Sequence, residues 1–443
     1  MPVAESTRLL EEETLRFARA LIRIDSVNTG DPATIGDGES RAIALIAGWL
    51  EEAGYTPLTE ESAPGRANLV LRVTGADPTR GALVAHAHVD VVPADPTGWA
   101  HPPFAAEIAD GYLYGRGALD MKNHAAALVA VARAWARDGI VPNRDIVFAF
   151  FSDEEAGGVY GARWVTEHRP EWLRGVTEAV SEVGGFSVPL GEKRGYLVAT
   201  SEKGVGAATL TARGRAGHGS RPSHSNAVTR LARAVVAVGE HEFPIVSTSA
   251  MEEFALRASE LLGVELTVET LEDHLDLLGI AGPLVAAGLR DTVSPTMLAA
   301  GSKTNVIPGE ATAQLDTRIL PGTEGDLERA VEAVVAASGP GVEIEWSRTI
   351  TPLESPARGP LLDAIQEALL DDDPDGVVVP YLMPASTDNK HLRALGITGY
   401  GFVPLRTAGD FDAFGLFHAV DERIPLDALA FSVRVTERLL RRA

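Results

Sequence analysis

The stretch "LVAHAHVDVVP", Leu83 to Pro93, places His86, His88 and Asp90 at every second position of an apolar run. Side chains alternate faces along a strand, so all three project from one side. "FFSDEEAGG" then sets three consecutive acids, Asp153, Glu154 and Glu155, directly after an apolar strand. That is the C-terminal strand end, where open α/β sheets place their sites. "YGRGALDMKNHAA" puts Asp120 at a loop-to-helix junction among glycines, and "AVSEVGG" puts Glu182 at the end of a further short strand. Each of these taken singly has a plainer reading: a solvated acidic loop, a helix cap, a lone acid before two glycines. Together they are four histidine or acid sites at strand ends of one domain. Imidazole and carboxylate donors suit Zn²⁺ or Mn²⁺ in a hydrolytic site. A Glu-Glu pair lets one carboxylate bind metal while its neighbour takes a proton from activated water.

Composition narrows the chemistry. The 443-residue chain contains no cysteine, which excludes disulfides, thiolate metal sites and a cysteine nucleophile. Lys plus Arg number 39 against 62 Asp plus Glu, a net charge of -23 that argues against nucleic acid and anionic membranes as partners. No apolar run approaches the roughly 20 residues of a bilayer span. The N-terminal "MPVAESTRLLEEETLRFARALI" reads as a charged amphipathic helix rather than an export signal, so a cytoplasmic location is expected.

Positioning these residues requires an α/β domain. Residues 7–25 and 39–54 read as helices, "ANLVLRVTG" and "GALVAHAHVDVV" as strands, then a helix from Lys122 to Asp138 and the strand "DIVFAFFS". The alternation predicts a mixed, mostly parallel sheet flanked by helices. After Lys203 the pattern changes. "GAATLTARG", the helix "SNAVTRLARAVVAVGE", "ATAQLDTRI", a helix at 324–338 and "GVEIEWSR" give a β-α-β-β-α-β order, an inserted α+β lid of the split βαβ, ferredoxin-like kind. The expected division is residues 1–202 and 353–443 for the catalytic domain and 203–352 for the lid or dimerisation domain. An extra helical segment near 241–296 is counted with the lid.

The segments "HVDVVP", "GRGALDMK", "SDEEAGG", "GHGSRP…NAV", "NVIPGEATAQLDTR" and "STDNKHLRALGI" occur in the order found in one family. The chain resembles the co-catalytic zinc peptidases and deacylases that include acetylornithine deacetylase, succinyl-diaminopimelate desuccinylase, glutamate carboxypeptidase and aminoacylase. The resemblance runs from about residue 15 to the C-terminus. It implies two Zn²⁺ per chain, with Co²⁺ or Mn²⁺ as substitutes, held by His88, Asp120, Glu155, Glu182 and His418, with Asp120 bridging. It further implies Asp90 orienting the His88 ring, Glu154 as general base and a cis peptide at Asp120–Met121. His218 resembles an oxyanion donor, in several relatives supplied by the partner subunit. Arg318 and Asn305 resemble a pair reaching a substrate carboxylate or oxyanion, and the loop with Thr387 and Asp388 is expected to line the pocket.

The expected activity is hydrolysis of the amide bond of N-acyl amino acids or small peptides with a free carboxylate. A broad-specificity dipeptidase is the same chemistry with a different pocket, and a non-catalytic binding protein on the fold is the reading from another class. The long 241–296 segment departs from the short relatives and bears on a homodimer through the lid. His86 is read as a hydrogen-bonded core histidine, and His101, His124, His168, His224, His241, His274 and His391 are given no ligand role.

Overall fold

A computed structural model describes residues 3–31, 33–221 and 223–443. Pro222, which ends the "GHGSRP" segment, and the first two residues lie outside them. The large sheet contains β1 (Leu58–Ala63), β2 (Arg66–Val73), β3 (Ala82–His88), β4 (Ile146–Phe151), β5 (Val176–Ser181), β6 (Ser187–Leu190) and β7 (Lys193–Glu202). The second, smaller sheet is formed by β8 (Gly204–Arg213), β9 (Thr292–Ala300), β10 (Glu310–Ile319) and β11 (Val342–Ile350). The chain then returns to the first sheet with residues 353–354, β12 (Gly376–Met383) and β13 (Thr398–Gly401).

The large sheet has the order β1-β2-β4-β3-β5-β13-β7, with residues 353–354, β6 and β12 also paired to β7. Its central strands β4, β3, β5 and β13 run parallel. Buried on both faces, β3 and β4 are apolar almost throughout, which is why their sequences read as continuous runs rather than alternations. One face is covered by α1 (Val3–Ile22), α2 (Gly38–Glu52), α3 (Lys122–Asp138) and the C-terminal helix Leu426–Arg442. The alanine-rich sequence of α3 lets its backbone come close to the strands, and residues 122–132 are all buried. Among the described residues no helix is long and apolar enough to cross a membrane.

The smaller sheet is antiparallel with the order β9-β10-β8-β11. Burial alternates strictly along β8 and β10, and the helices Ala227–Gly239 and Glu324–Ala337 cover the apolar face. This is the split βαβ arrangement expected from the alternation. The helical segment near 241–296 behaves differently from its expected grouping. Its helix Ser249–Leu262 packs on β12, and Met251, Phe254, Ala258, Leu278 and Val285 join the apolar cluster of the large sheet. The reason is hydrophobic. β12 reads "GVVVPYLM", buried along most of its length, and this helix supplies its cover.

Candidate metal centre

Because β4, β3 and β5 are adjacent and parallel, their C-terminal ends lie side by side. His88 ends β3, Ser152 to Glu155 follow β4, and Glu182 follows β5. His88 Nε2 lies 3.0 Å from Asp120 Oδ1 and 3.2 Å from Glu182 Oε2. On the other side of Asp120, His418 Nε2 lies 3.1 Å from Oδ2 and 3.2 Å from Glu155 Oε2. The two oxygens of one aspartate thus face two different histidine–glutamate pairs. Donor atoms of His88, Asp120 and Glu155, and of His88, Glu154 and Glu182, fall within 4.8 Å of one another. The peptide Asp120–Met121 is cis.

These donors suit divalent metal. Glu155 Oε1 is buried without a hydrogen-bond partner, and the set is all imidazole nitrogen and carboxylate oxygen. With protein groups alone, the acids draw positive charge onto the imidazoles. Hydrogen bonds to Asp120 and Glu155 push His418 up to about 10. Burial opposes a charge on His88, yet Glu182 and Asp120 raise it well above the ordinary histidine range. Burial and the Asp120 charge push Glu155 up to about 7.

Asp90 contacts more than the His88 ring it was expected to orient. Its backbone carbonyl is 3.0 Å from His88 Nδ1, closer than its carboxylate at 3.4 Å. The carboxylate accepts instead from the backbone N–H of Glu154 (3.1 Å) and Glu155 (3.0 Å) and from Asn28 Nδ2 (3.0 Å). It therefore clamps the acidic turn on which both glutamates sit. Asp153, the first acid of that turn, takes a left-handed backbone (φ 67°) and accepts from Asn28 and from the Tyr160 N–H. Beneath it, Glu39 pairs with Arg66 at 2.8 Å, and burial with the Asp90 charge pushes Glu39 up to about 9.

His418 is held through its neighbours. Glu422 accepts from Arg116 Nη1 (2.6 Å) and from the backbone N–H groups of Gly117 (3.1 Å), Leu119 (2.7 Å) and Asp120 (3.1 Å). Arg116 Nη2 in turn donates to the His418 carbonyl at 3.0 Å. One buried carboxylate thereby joins the Asp120 loop to the His418 loop.

The centre opens into a cleft of about 710 Å³ lined by both sheets' elements. Asp120, Glu154, Glu155, Glu182, Thr387, Lys390 and His418 line it beside Val205, Arg318, Ile350, Phe414 and Phe417. Arg318, on β10, reaches this cleft from the smaller domain with its guanidinium on Asp316 (2.8 and 3.2 Å). Thr387 lines the cleft while its hydroxyl and N–H donate to Glu202. Asp388, expected to line the pocket with it, does not. Its carboxylate is buried beside Gly158 with neither oxygen hydrogen-bonded, and burial raises it well above the carboxylate range. His218 and Asn305 are exposed on the small domain, where residues 217–218 pair with 306–307, and neither lines this chain's cleft.

His86 Nε2 meets Asn389 Oδ1 at 2.9 Å inside the core, and burial holds it down to about 4, so it is a neutral hydrogen-bonded histidine. The sequence reading passed over Lys390, Glu202 and Glu422. Lys390 stood within the quoted motif "STDNKHLRALGI" and Glu422 four residues after His418, each among other polar residues that gave it no distinguishing signal.

An α/β body with a paired-histidine carboxylate centre at its strand ends and an inserted lid defines a metal-dependent amidohydrolase. The family model Peptidase family M20/M25/M40 matches residues 84–442, and the chain belongs to that family. It is 27% identical to aminoacylase-1 of Homo sapiens over 413 residues, covering 90% of this chain and 89% of that one. Its fold is similar to an M20 family metallo-carboxypeptidase from Sulfolobus solfataricus, with a TM-score of 0.74, 18% identity and coverage of 97% and 98%. It is also similar to the Bacillus subtilis YXEP protein, a dinuclear metal-binding peptidase of the same family. There the TM-score is 0.64 at 15% identity, with 98% of each chain covered.

Proposed function

We propose that the chain is a two-zinc deacylase or carboxypeptidase that cleaves the amide bond of N-acyl amino acids or small peptides bearing a free carboxylate. The observation that carries this reading is Asp120, whose two oxygens each face a separate histidine–glutamate pair. In this reading His88, Asp120 and Glu182 hold one metal, and Asp120, Glu155 and His418 hold the other. Bound metal supplies a Lewis acid for the amide carbonyl and lowers the pKa of water.

The protein's own groups do the remaining work. Glu154, adjacent to both ligand sets, accepts the proton of the attacking water and delivers it to the departing amine. Asp90 keeps the Glu154–Glu155 turn and the His88 ring in register with each other. Arg318, reaching the cleft from the lid, exchanges Asp316 for the substrate carboxylate, a bidentate match. The apolar wall of Phe414, Phe417, Val205 and Ile350 receives the substrate's uncharged part.

His218 and Asn305 complete the oxyanion and carboxylate contacts from the lid of a second copy, in a homodimer. What supports this is the free edge strand β9, where Met297 and Leu298 are 67% and 64% exposed. We place residues 1–202 and 353–443 in the catalytic body and 203–352 in the lid, with the 249–289 helices riding on the body. A cytoplasmic location is part of the same reading, and cell fractionation tests it.

The deciding experiment is a hydrolysis panel of N-acetyl, N-succinyl and N-carbamoyl amino acids and dipeptides, with zinc restored, on wild type and Glu154→Gln. The variant should retain about two metal equivalents and lose about 10²–10⁴-fold in kcat. Undiminished turnover in Glu154→Gln, or activity without metal, overturns the reading.

A further inference from the structure

Lys390 Nζ lies 3.3 Å from Glu154 Oε1, with the lysine side chain 6% exposed and the glutamate 11%. Glu154 is thus held at two points: its backbone N–H by Asp90 and its carboxylate by Lys390. The acidic side chains of Asp388 and Glu202 add to Glu154 in favouring the charge on this buried ammonium.

The short helix that carries Lys390, Asn389–Leu392, is anchored on both sides of the lysine's attachment. Asn389 is fixed to His86 at 2.9 Å, and Thr387 donates twice to the buried Glu202, at 2.6 and 2.8 Å. His391 Nε2 completes the seat at 3.0 Å from the Gly157 carbonyl, just past the acidic turn. A lysine stem normally samples many rotamers, and here the surrounding contacts leave it little room.

We propose that Lys390 is a positioning residue for Glu154, holding one oxygen of that carboxylate so that the other meets the attacking water. His86 belongs to the same device. It shares the β3 face with His88, and through Asn389 it locates the lysine that aims the base. A carboxylate shuttling a proton between water and an amine must keep one orientation through both transfers. Misplacement of a reacting group by about 1 Å costs on the order of 10²-fold in rate. The inference rests on the reading of Glu154 as general base.

The test is a double-mutant cycle with the zinc-loaded enzyme and the N-acyl amino acid turned over fastest in the panel. The variants are Lys390→Met, Lys390→Arg, Glu154→Gln and the double Lys390→Met/Glu154→Gln. Lys390→Met should lose about 10–100-fold in kcat with KM within about twofold, retain two metals and melt as a folded protein. Lys390→Arg should recover kcat to within about tenfold of wild type. The double variant should be no slower than Glu154→Gln alone, because the lysine acts through the base.

A rise in KM at constant kcat would make Lys390 a substrate-carboxylate contact and overturn the proposal. So would a double variant slower than Glu154→Gln by the full Lys390→Met factor. Lys390→Met that loses metal or folding, with no rescue by arginine, would make the pair structural and likewise overturn it. If Glu154→Gln alone keeps full turnover, the general-base reading fails first, independently of the Lys390 arms.

Discussion

Replacing Glu422 by Gln removes half of a buried acceptor while leaving the side chain's shape intact. In the wild type each oxygen takes two donors: Arg116 Nη1 and the Gly117 N–H on Oε2, the Leu119 and Asp120 N–H groups on Oε1. Whichever way the new amide turns, its NH₂ faces two donors that lose their acceptor. A buried donor left unsatisfied costs about 1–3 kcal/mol, so about 2–6 kcal/mol is divided between folding and the metal centre. The neutral glutamine also leaves the Arg116 guanidinium, itself buried, without its counter-charge. Both segments the carboxylate touches carry proposed ligands, since one pair of donors includes the Asp120 N–H and the other includes Arg116, which holds the His418 carbonyl.

Supporting groups behind metal ligands typically govern 10–100-fold in affinity, equivalent to about 1.4–2.8 kcal/mol. The assay is zinc content at equilibrium against a graded chelator, alongside kcat/KM with zinc in excess. Glu12→Gln, which removes an exposed i,i+4 partner of Arg8, serves as control and should change nothing measurable. Glu422→Gln that takes up both metals with wild-type affinity and keeps wild-type kcat/KM would refute the argument that this carboxylate joins the two loops.

Three further outcomes follow from particular residues. Lys203, buried at the junction of the two sheets with its ammonium on the Arg290 carbonyl, is pulled by burial from 10.5 to about 8. The unfolded chain therefore holds more protons between about pH 8 and 10.4, and stability should rise with pH across that window. The rise, on the order of 3 kcal/mol, should be missing from the urea midpoints of Lys203→Met. Chelation should abolish hydrolysis, and zinc, cobalt or manganese should restore it; a fully active metal-free protein would contradict this. At Gly158 (φ +70°) an added Cβ would sit 2.6 Å from Asp388 Oδ1 and 2.7 Å from His391 Nε2. Gly158→Ala should lower both the melting temperature and kcat, and a neutral result would show that the acidic turn tolerates displacement.

The local order of strands and the alternation of faces are properties of neighbouring residues, so the sequence alone determined them. His88 and Asp90 share a face because strand side chains repeat every two residues, and β3, β4 and β5 carry their acids at one end because parallel strands point the same way. The strictly alternating β8 and β10 likewise announced a sheet covered on one side. What only the tertiary structure decided are contacts between residues far apart in the chain. Glu422 meets Arg116 across 306 positions and His86 meets Asn389 across 303, and no spacing rule links such pairs.

The same holds for the 249–289 helices, which chain order grouped with the smaller sheet. Packing against β12 settled the choice. Lys390, Asp388 and Thr387 are consecutive or nearly so, yet one lies against Glu154, one is buried behind Gly158 and one faces the cleft. Sequence supplied the inventory of charged groups at the centre. Which of them touch the candidate ligand atoms, and which hold those atoms in place, depends on how distant segments pack, because burial and hydrogen-bond geometry exist only in the folded chain.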